Sequence, residues 1–208
     1  MIWQKVWQEV HSGLTPGLQP DGATWAAPMG DRQILLPLRR LPDGRRAVCS
    51  LILNQASFAV LDALADAVVE GLRPFAPEVI VAVPTLGLPL AEGVARRLGH
   101  GRMVALGTSA KFWYDEGLSV PLKSITTPGG GKRLYLDPHM LPLLRGRRVA
   151  VVDDVLSSGA SMAATLALLA LAGIAPVAIG AAMVQGDLWR ERIALPVTSA
   201  LATPILTL

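Results

Sequence analysis

The chain has almost nothing with which to cross-link itself. A single cysteine, Cys49, rules out an internal disulfide and fits a reducing, cytoplasmic setting. It sits in an apolar run, which marks a buried thiol rather than a nucleophile. Charge is sparse: 17% of residues are charged and 51% are apolar, so a large core is available and global disorder is excluded. The net charge of +3 is too small to imply a nucleic-acid partner. Two local clusters, Arg39, Arg40, Arg45 and Arg46, then Arg145, Arg147 and Arg148, fit solvated faces or turn flanks. Residues 1–10 carry Lys5 and Glu9 and have no apolar secretory core. Neither Gly-x-x-x-x-Gly-Lys-Ser/Thr nor Gly-x-Gly-x-x-Gly occurs, which removes two common nucleotide-binding signatures. Residues 155–186 lack charge for long enough to span a bilayer. Gly173 and Pro176 interrupt them, and a strand-like run follows, so a buried helix, a turn and a buried strand explain the stretch better. No membrane partner is expected.

What is present centres on residues 147–161. Val149, Ala150, Val151 and Val152 form a short apolar run with no polar alternation, as in a strand buried on both faces of a parallel sheet. Asp153 and Asp154 arrive where that strand should end. Ser157, Ser158, Gly159, Ala160 and Ser161 follow, and then a helix-forming run from Met162 to Leu171. In open parallel sheets ligands bind beyond the carboxyl ends of the strands. A small-residue turn entering a helix offers free N–H groups and a positive dipole end, which suits a phosphate. The carboxylates suit a sugar diol or Mg²⁺ instead. One segment could thus grip a phosphorylated ribose from both ends. An aspartate pair after a strand also opens receiver domains, but there it lies near the domain's start, and too little chain follows Asp154 here.

Around this centre, Trp3, Val6, Trp7 and Val10 recur at helical spacing and predict a short N-terminal helix. Residues 34–38 and 47–53 flank the turn signal Pro42-Asp43-Gly44 and predict a hairpin, with Pro37 placing its strand at an edge. This pair could form a separate flap. Asn54 or Ser57 can cap a helix whose stripe is Phe58, Leu61, Leu64, Ala65, Val68 and Leu72. Residues 79–83 predict a buried strand. After it come Pro84, Thr85, Leu86 and Gly87, then a helix from about Pro89 to Leu98. Residues 103–106 predict a third strand. The connection that follows contains Lys111, Trp113, Tyr114 and the run Thr126-Thr127-Pro128-Gly129-Gly130-Gly131, and its composition fits a lid. Residues 133–136 and 177–184 predict further strands, and residues 198–208 an apolar tail that returns as one.

The segment Val-Val-Asp-Asp-Val-Leu-Ser-Ser-Gly-Ala-Ser resembles the phosphoribosyl-pyrophosphate (PRPP) motif of type I phosphoribosyltransferases. Ala160 and Ser161 stand where that family commonly has Gly and Thr. The order of elements over residues 54–208 is similar to the adenine/purine group. The resemblance implies an α/β fold: an open, mainly parallel twisted sheet with helices on both faces, plus a small hood from residues 1–53. It implies transfer of the phosphoribosyl group from PRPP to a nucleobase, purine first and adenine in particular, with Mg²⁺ as cofactor and a homodimer as the assembly. Asp153 and Asp154 would meet the ribose hydroxyls and Mg²⁺. Ser157, Ser158, Gly159, Ala160 and Ser161 would hold the 5′-phosphate, with Val155 and Leu156 in the same PRPP-binding segment. Thr85, Leu86 and Gly87 would hold pyrophosphate, with a non-proline cis peptide. Lys111 would open a flexible loop over residues 111–131 and add positive charge. Asp154 is also a candidate general base. Trp189, Tyr114 and Trp25 are candidates to stack on the base.

One position departs from the group. The adenine-specific enzymes usually place Arg where Leu86 stands, and its loss removes a charge-assisted contact to pyrophosphate. Lys111, Lys123 or Lys132 could supply that charge. Leu86 also keeps open a second reading, a regulator that senses PRPP or nucleotide without turnover.

Overall fold

The computed structural model describes residues 4–122 and 132–208. The chain begins with three strands, β1 (Val10–Ser12), β2 (Gly17–Leu18) and β3 (Thr24–Met29). β4 (Arg32–Arg40) and β5 (Arg46–Cys49) follow and form the predicted hairpin. Residues 5–8 form turns and Val10 opens β1, so the expected N-terminal helix does not run through them. The helical spacing there is met by Val6 and Trp7 inserting into the core, with the Trp7 indole N–H donating to the Ser50 carbonyl at 2.9 Å.

β4 is not an edge strand. It pairs with β3 on one side and with β1 and β5 on the other. Pro37 is tolerated because it stands at a handover. It is the last β4 residue in register with β3, opposite Thr24, and the β5 register starts one residue later at Leu38. Its carbonyl still accepts the Ser50 N–H at 2.9 Å.

The rest of the chain alternates strand and helix. α1 (Phe58–Leu72) is capped by Ser57, whose Oγ accepts the Val60 N–H. β6 (Val79–Ala82), α2 (Gly87–Arg97) and β7 (Val104–Ala105) follow. A short hairpin comes next, β8 (Ser119–Pro121) with β9 (Arg133–Tyr135), then a single turn of helix, α3 (Leu141–Leu144). The chain ends with β10 (Val149–Leu156), α4 (Ala160–Leu171), β11 (Ala178–Gln185), β12 (Val197–Thr203) and β13 (Ile205–Thr207).

Strands 12, 11, 10, 6 and 7 lie side by side in that order, all parallel. Ile80, Ala82, Ala150, Val152, Ala178 and Ala182 turn to the face covered by α1 and α2. Val79, Val81, Val149, Val151, Ile179 and Ala181 turn to the face covered by α4. Helices on both faces of a parallel sheet account for the unbroken apolar runs in its strands. α4 packs against both the sheet and the β8–β9 hairpin, the latter through Leu118, Val120 and Leu134, and exposes only Ala167, Ala170 and Leu171. Among the described residues no helix is long and apolar enough to cross a membrane.

The antiparallel sheet is not a separate flap. Ile34, Leu36, Cys49 and Leu51 share one core with α1 and α2. After β12 the chain turns at Pro204, and β13 crosses over to pair with β5. A division at residue 53 therefore leaves one strand of the hood at the other end of the chain. The predicted lid also narrows, since residues 119–121 are an anchored strand held by Arg133 donating to Ser119 Oγ at 2.7 Å. Residues 123–131, with Lys123 and the glycine run, lie outside the described residues.

Candidate functional site

β10 outlasts its neighbour β6. Their pairing ends at Val152 opposite Ala82, and the Val83 N–H caps it by donating to the Val152 carbonyl at 3.0 Å. On the other side β10 stays in register with β11 as far as Leu156. Asp153 and Asp154 are thus inside the strand, not at its end, yet on the β6 side they stand past the sheet's rim. That rim is where the binding crevice of an open parallel sheet lies.

The turn after β6 closes onto this rim. The Pro84–Thr85 peptide bond is cis, as the resemblance implies. Thr85 is exposed, Leu86 half-buried and Gly87 buried, and Gly87 opens α2, two residues earlier than the sequence pattern places it. A β-carbon on Gly87 would sit 3.0 Å from both the Cα and the Oδ1 of Asp153. The turn and the acidic doublet are therefore in direct contact, and only glycine allows the approach.

Asp153 is 5% exposed, and its Oδ1 accepts the Asp154 N–H at 2.8 Å. Burial, followed by the Asp154 carboxylate beside it, pushes the Asp153 carboxyl well above the ordinary carboxylate range. Burial pushes Asp154 up as well. Two adjacent acids that both resist ionising call for a cationic or hydroxylic ligand to offset their charge. Among the described residues no group of three or more His, Cys, Asp or Glu forms a metal cage. Two carboxylates nevertheless fit Mg²⁺, which commonly takes one or two from the protein and the rest of its shell from water and substrate phosphates.

Beyond the carboxyl end of β10, Ser157, Ser158 and Gly159 turn into α4. Gly159 takes φ +74°, and a β-carbon there would lie 3.1 Å from the Cα of Trp189, so glycine is required twice over. The first amides of α4 have no partner within the helix. Ala160 N–H reaches only Ser158 Oγ, at 3.4 Å. Val155 and Leu156 belong to the strand itself, with Leu156 buried. Ser161 is half-buried in the first turn, where its carbonyl accepts the Thr165 hydroxyl at 3.0 Å.

Other expected residues fall elsewhere. Trp189 is 5% exposed, donates its indole N–H to the Gly186 carbonyl at 3.0 Å, and backs the Gly159 turn. It is packing behind the loop, with no free face for a base. Tyr114 is half-buried with its ring 6.0 Å from that of Tyr135, at the foot of the 107–122 segment. Burial, and then the Asp137 carboxylate, raise its phenol pKa. Trp25 is half-buried on β3, its Nε1 enclosed and without a partner among the described residues. Lys111 is exposed, and no contact among the described residues brings it to the doublet.

Residues 185–192 support the loop from behind, which the sequence reading did not foresee. The Ser157 hydroxyl donates to Gln185 Oε1 at 3.3 Å, and Arg192 donates to the Ser158 carbonyl at 2.6 Å. The available signal was a polar residue, Gln185, closing an otherwise apolar strand.

The model of the phosphoribosyl transferase domain matches residues 50–200. The chain belongs to that family. An adenine phosphoribosyltransferase from Rhodococcus opacus is 38% identical over 138 residues, which span 64% of this chain and 73% of that protein. Its namesake from Nocardia farcinica is 31% identical over 153 residues, 66% of this chain and 71% of its own. Among solved structures, adenine phosphoribosyltransferase from Saccharomyces cerevisiae superposes with a TM-score of 0.63 over 80% of this chain and 94% of that one, at 21% identity. The enzyme from Thermoanaerobacter pseudethanolicus gives 0.62 over 80% and 95%, at 20% identity. At that identity the superpositions establish the fold, an α/β type I arrangement.

Proposed function

We propose that the chain transfers the 5-phosphoribosyl group of PRPP to a purine, adenine first, with release of pyrophosphate. One observation carries this reading. The helices after two adjacent parallel strands, β6 and β10, begin on the same rim, with Asp153 and Asp154 between them and Gly87 touching Asp153. That arrangement offers an amide-rich turn to an anion on each side of a diol-binding pair. The curated relatives at 31–38% identity, named adenine phosphoribosyltransferase, support the same substrates.

In the reaction the C1–oxygen bond to pyrophosphate breaks, and a bond from a base nitrogen to C1 forms. The leaving group takes the electron pair, and the base nitrogen gives up its proton. Ser157, Ser158, Gly159, Ala160 and Ser161 hold the 5′-phosphate. Asp153 and Asp154 accept hydrogen bonds from the ribose hydroxyls and so fix C1 between nucleophile and leaving group. Thr85, Leu86 and Gly87 receive the departing pyrophosphate through backbone groups. Asp154, the less buried of the pair, is the general base of this reading. Asp153 and Asp154 are also the residues that would hold Mg²⁺, directly or through water. Mg²⁺ supplies charge neutralisation for the leaving pyrophosphate. Lys111 adds positive charge from the 107–122 segment, and the hood sheet covers the base. A second copy of the chain is the partner the resemblance implies, and sedimentation velocity reads it directly.

Incubation with PRPP, Mg²⁺ and a panel of nucleobases tests the assignment through pyrophosphate release. Release with adenine, and formation of the nucleotide, is the expected result. Leu86 is the observation that favours a sensor, and PRPP binding with no turnover on any base would support that reading instead.

A further inference from the structure

Gln185 closes β11 and is 94% buried, an unusual place for an amide with no role in the steps above. Both of its ends are engaged. Nε2 donates to the backbone carbonyl of Cys49, on hood strand β5, at 2.8 Å. Oε1 accepts the Ser157 hydroxyl at 3.3 Å. The orientation follows from chemistry. A carbonyl can only accept, so the amide nitrogen must face Cys49, and the oxygen is then left for Ser157, which must donate. Two further contacts reinforce the junction: Gly186 N–H donates to Thr203, and a β-carbon on Gly186 would lie 3.2 Å from Ile205 of β13, itself paired to β5.

We propose that Gln185 is a positioning residue that ties Ser157, the first residue of the phosphate turn, to the hood sheet. The hydroxyl of Ser157 is drawn inward, which sets the turn before a phosphate arrives. Occupancy of the turn and placement of the hood then depend on one another through a single buried side chain. The inference rests on reading residues 157–161 as the 5′-phosphate site.

Calorimetric titrations with adenosine 5′-monophosphate and with inorganic pyrophosphate test it in the wild type, Gln185→Met, Ser157→Ala and the double variant. Gln185→Met should weaken the monophosphate about 3–10-fold, the scale of one buried neutral hydrogen bond, and leave pyrophosphate within twofold. In the Ser157→Ala background the same substitution should add less than twofold, because its effect runs through Ser157. Equal losses for both ligands, or full additivity in the double variant, would mean that Gln185 only packs, and would overturn the inference. Hydrogen exchange on the wild-type chain provides an arm that needs no variant. The monophosphate should slow exchange in residues 46–49 as well as in residues 157–161, and an unchanged β5 would count against the tie. A wild type that binds neither ligand removes the site reading itself. A wild type that binds both while Gln185→Met matches it removes this inference alone.

Discussion

Gly87 and Asp153 touch: a β-carbon on the glycine would fall 3.0 Å from the aspartate's Cα, against backbone that cannot swing aside. In the proposed function this contact joins the turn assigned to pyrophosphate to the pair assigned to the ribose. Gly87→Ala must therefore push the two apart. Overpacking of this kind costs about 1–3 kcal/mol. The expected outcome is a 10- to 100-fold fall in kcat/KM for PRPP with the cooperative melt retained. Wild-type kinetics in this variant would show that the contact does not matter to the site.

Leu86 is half-buried beside that contact and leaves the turn without a guanidinium. Restoring one by Leu86→Arg should strengthen the hold on pyrophosphate. A hydrogen bond to a charged group contributes about 1.5–3 kcal/mol, equivalent to roughly 10- to 100-fold. Pyrophosphate affinity by calorimetry should rise on that scale. A fall would mean that the apolar side chain is itself needed where it stands.

The acidic pair makes stability depend on pH in a defined direction. Burial raises both carboxyl pKa values above the ordinary 3.8, Asp153 most. A group whose acid form the fold favours contributes its stability below its unfolded value, and that contribution is lost as pH rises through the folded value. Asp153→Asn removes the buried charge and keeps an acceptor for the Asp154 N–H. In ligand-free protein at pH 7.5, differential scanning calorimetry should show this variant about 1 kcal/mol more stable, roughly 2–4 °C in Tm. The advantage should shrink toward pH 4, where the wild-type carboxyl is protonated. A variant less stable than wild type at both pH values contradicts the cause assigned to the shift.

Gly159 combines a left-handed backbone with the Trp189 main chain 3.1 Å from where a side chain would begin. Gly159→Ala should displace the turn at its middle. Affinity for adenosine 5′-monophosphate should drop at least tenfold while inorganic pyrophosphate, assigned in the proposed function to residues 85–87, stays near the wild-type value. Parallel losses would place the two ligands on one shared subsite.

The parallel core was legible because its strands are buried on both faces, so residues 79–83, 149–152 and 177–184 announce themselves without alternation. The turn into α4 was legible because its pattern is local: an acidic doublet, small residues and a helix start lie within nine consecutive positions. The hood was harder. β3 carries Pro28 and a mixed pattern, and Pro37 marks an edge by local rules, whereas the chain seats it at a handover between two partners, where its carbonyl still accepts the Ser50 N–H. The spacing of Val6, Trp7 and Val10 imitates a helix because side chains entering a core from turns obey no period. Trp189 lies at the predicted rim, but no local pattern tells a ring that faces a ligand from one that backs a glycine. The role of Gln185 depends on Cys49, 136 positions away, and no reading of neighbours could have found it.

Crystals soaked with adenosine 5′-monophosphate put the central claim to the most direct trial. Density for the phosphoryl group should lie over the amides of residues 157–161, with the ribose hydroxyls against Asp153 and Asp154. A phosphoryl group bound anywhere else on the molecule, with that turn left bare, would contradict it.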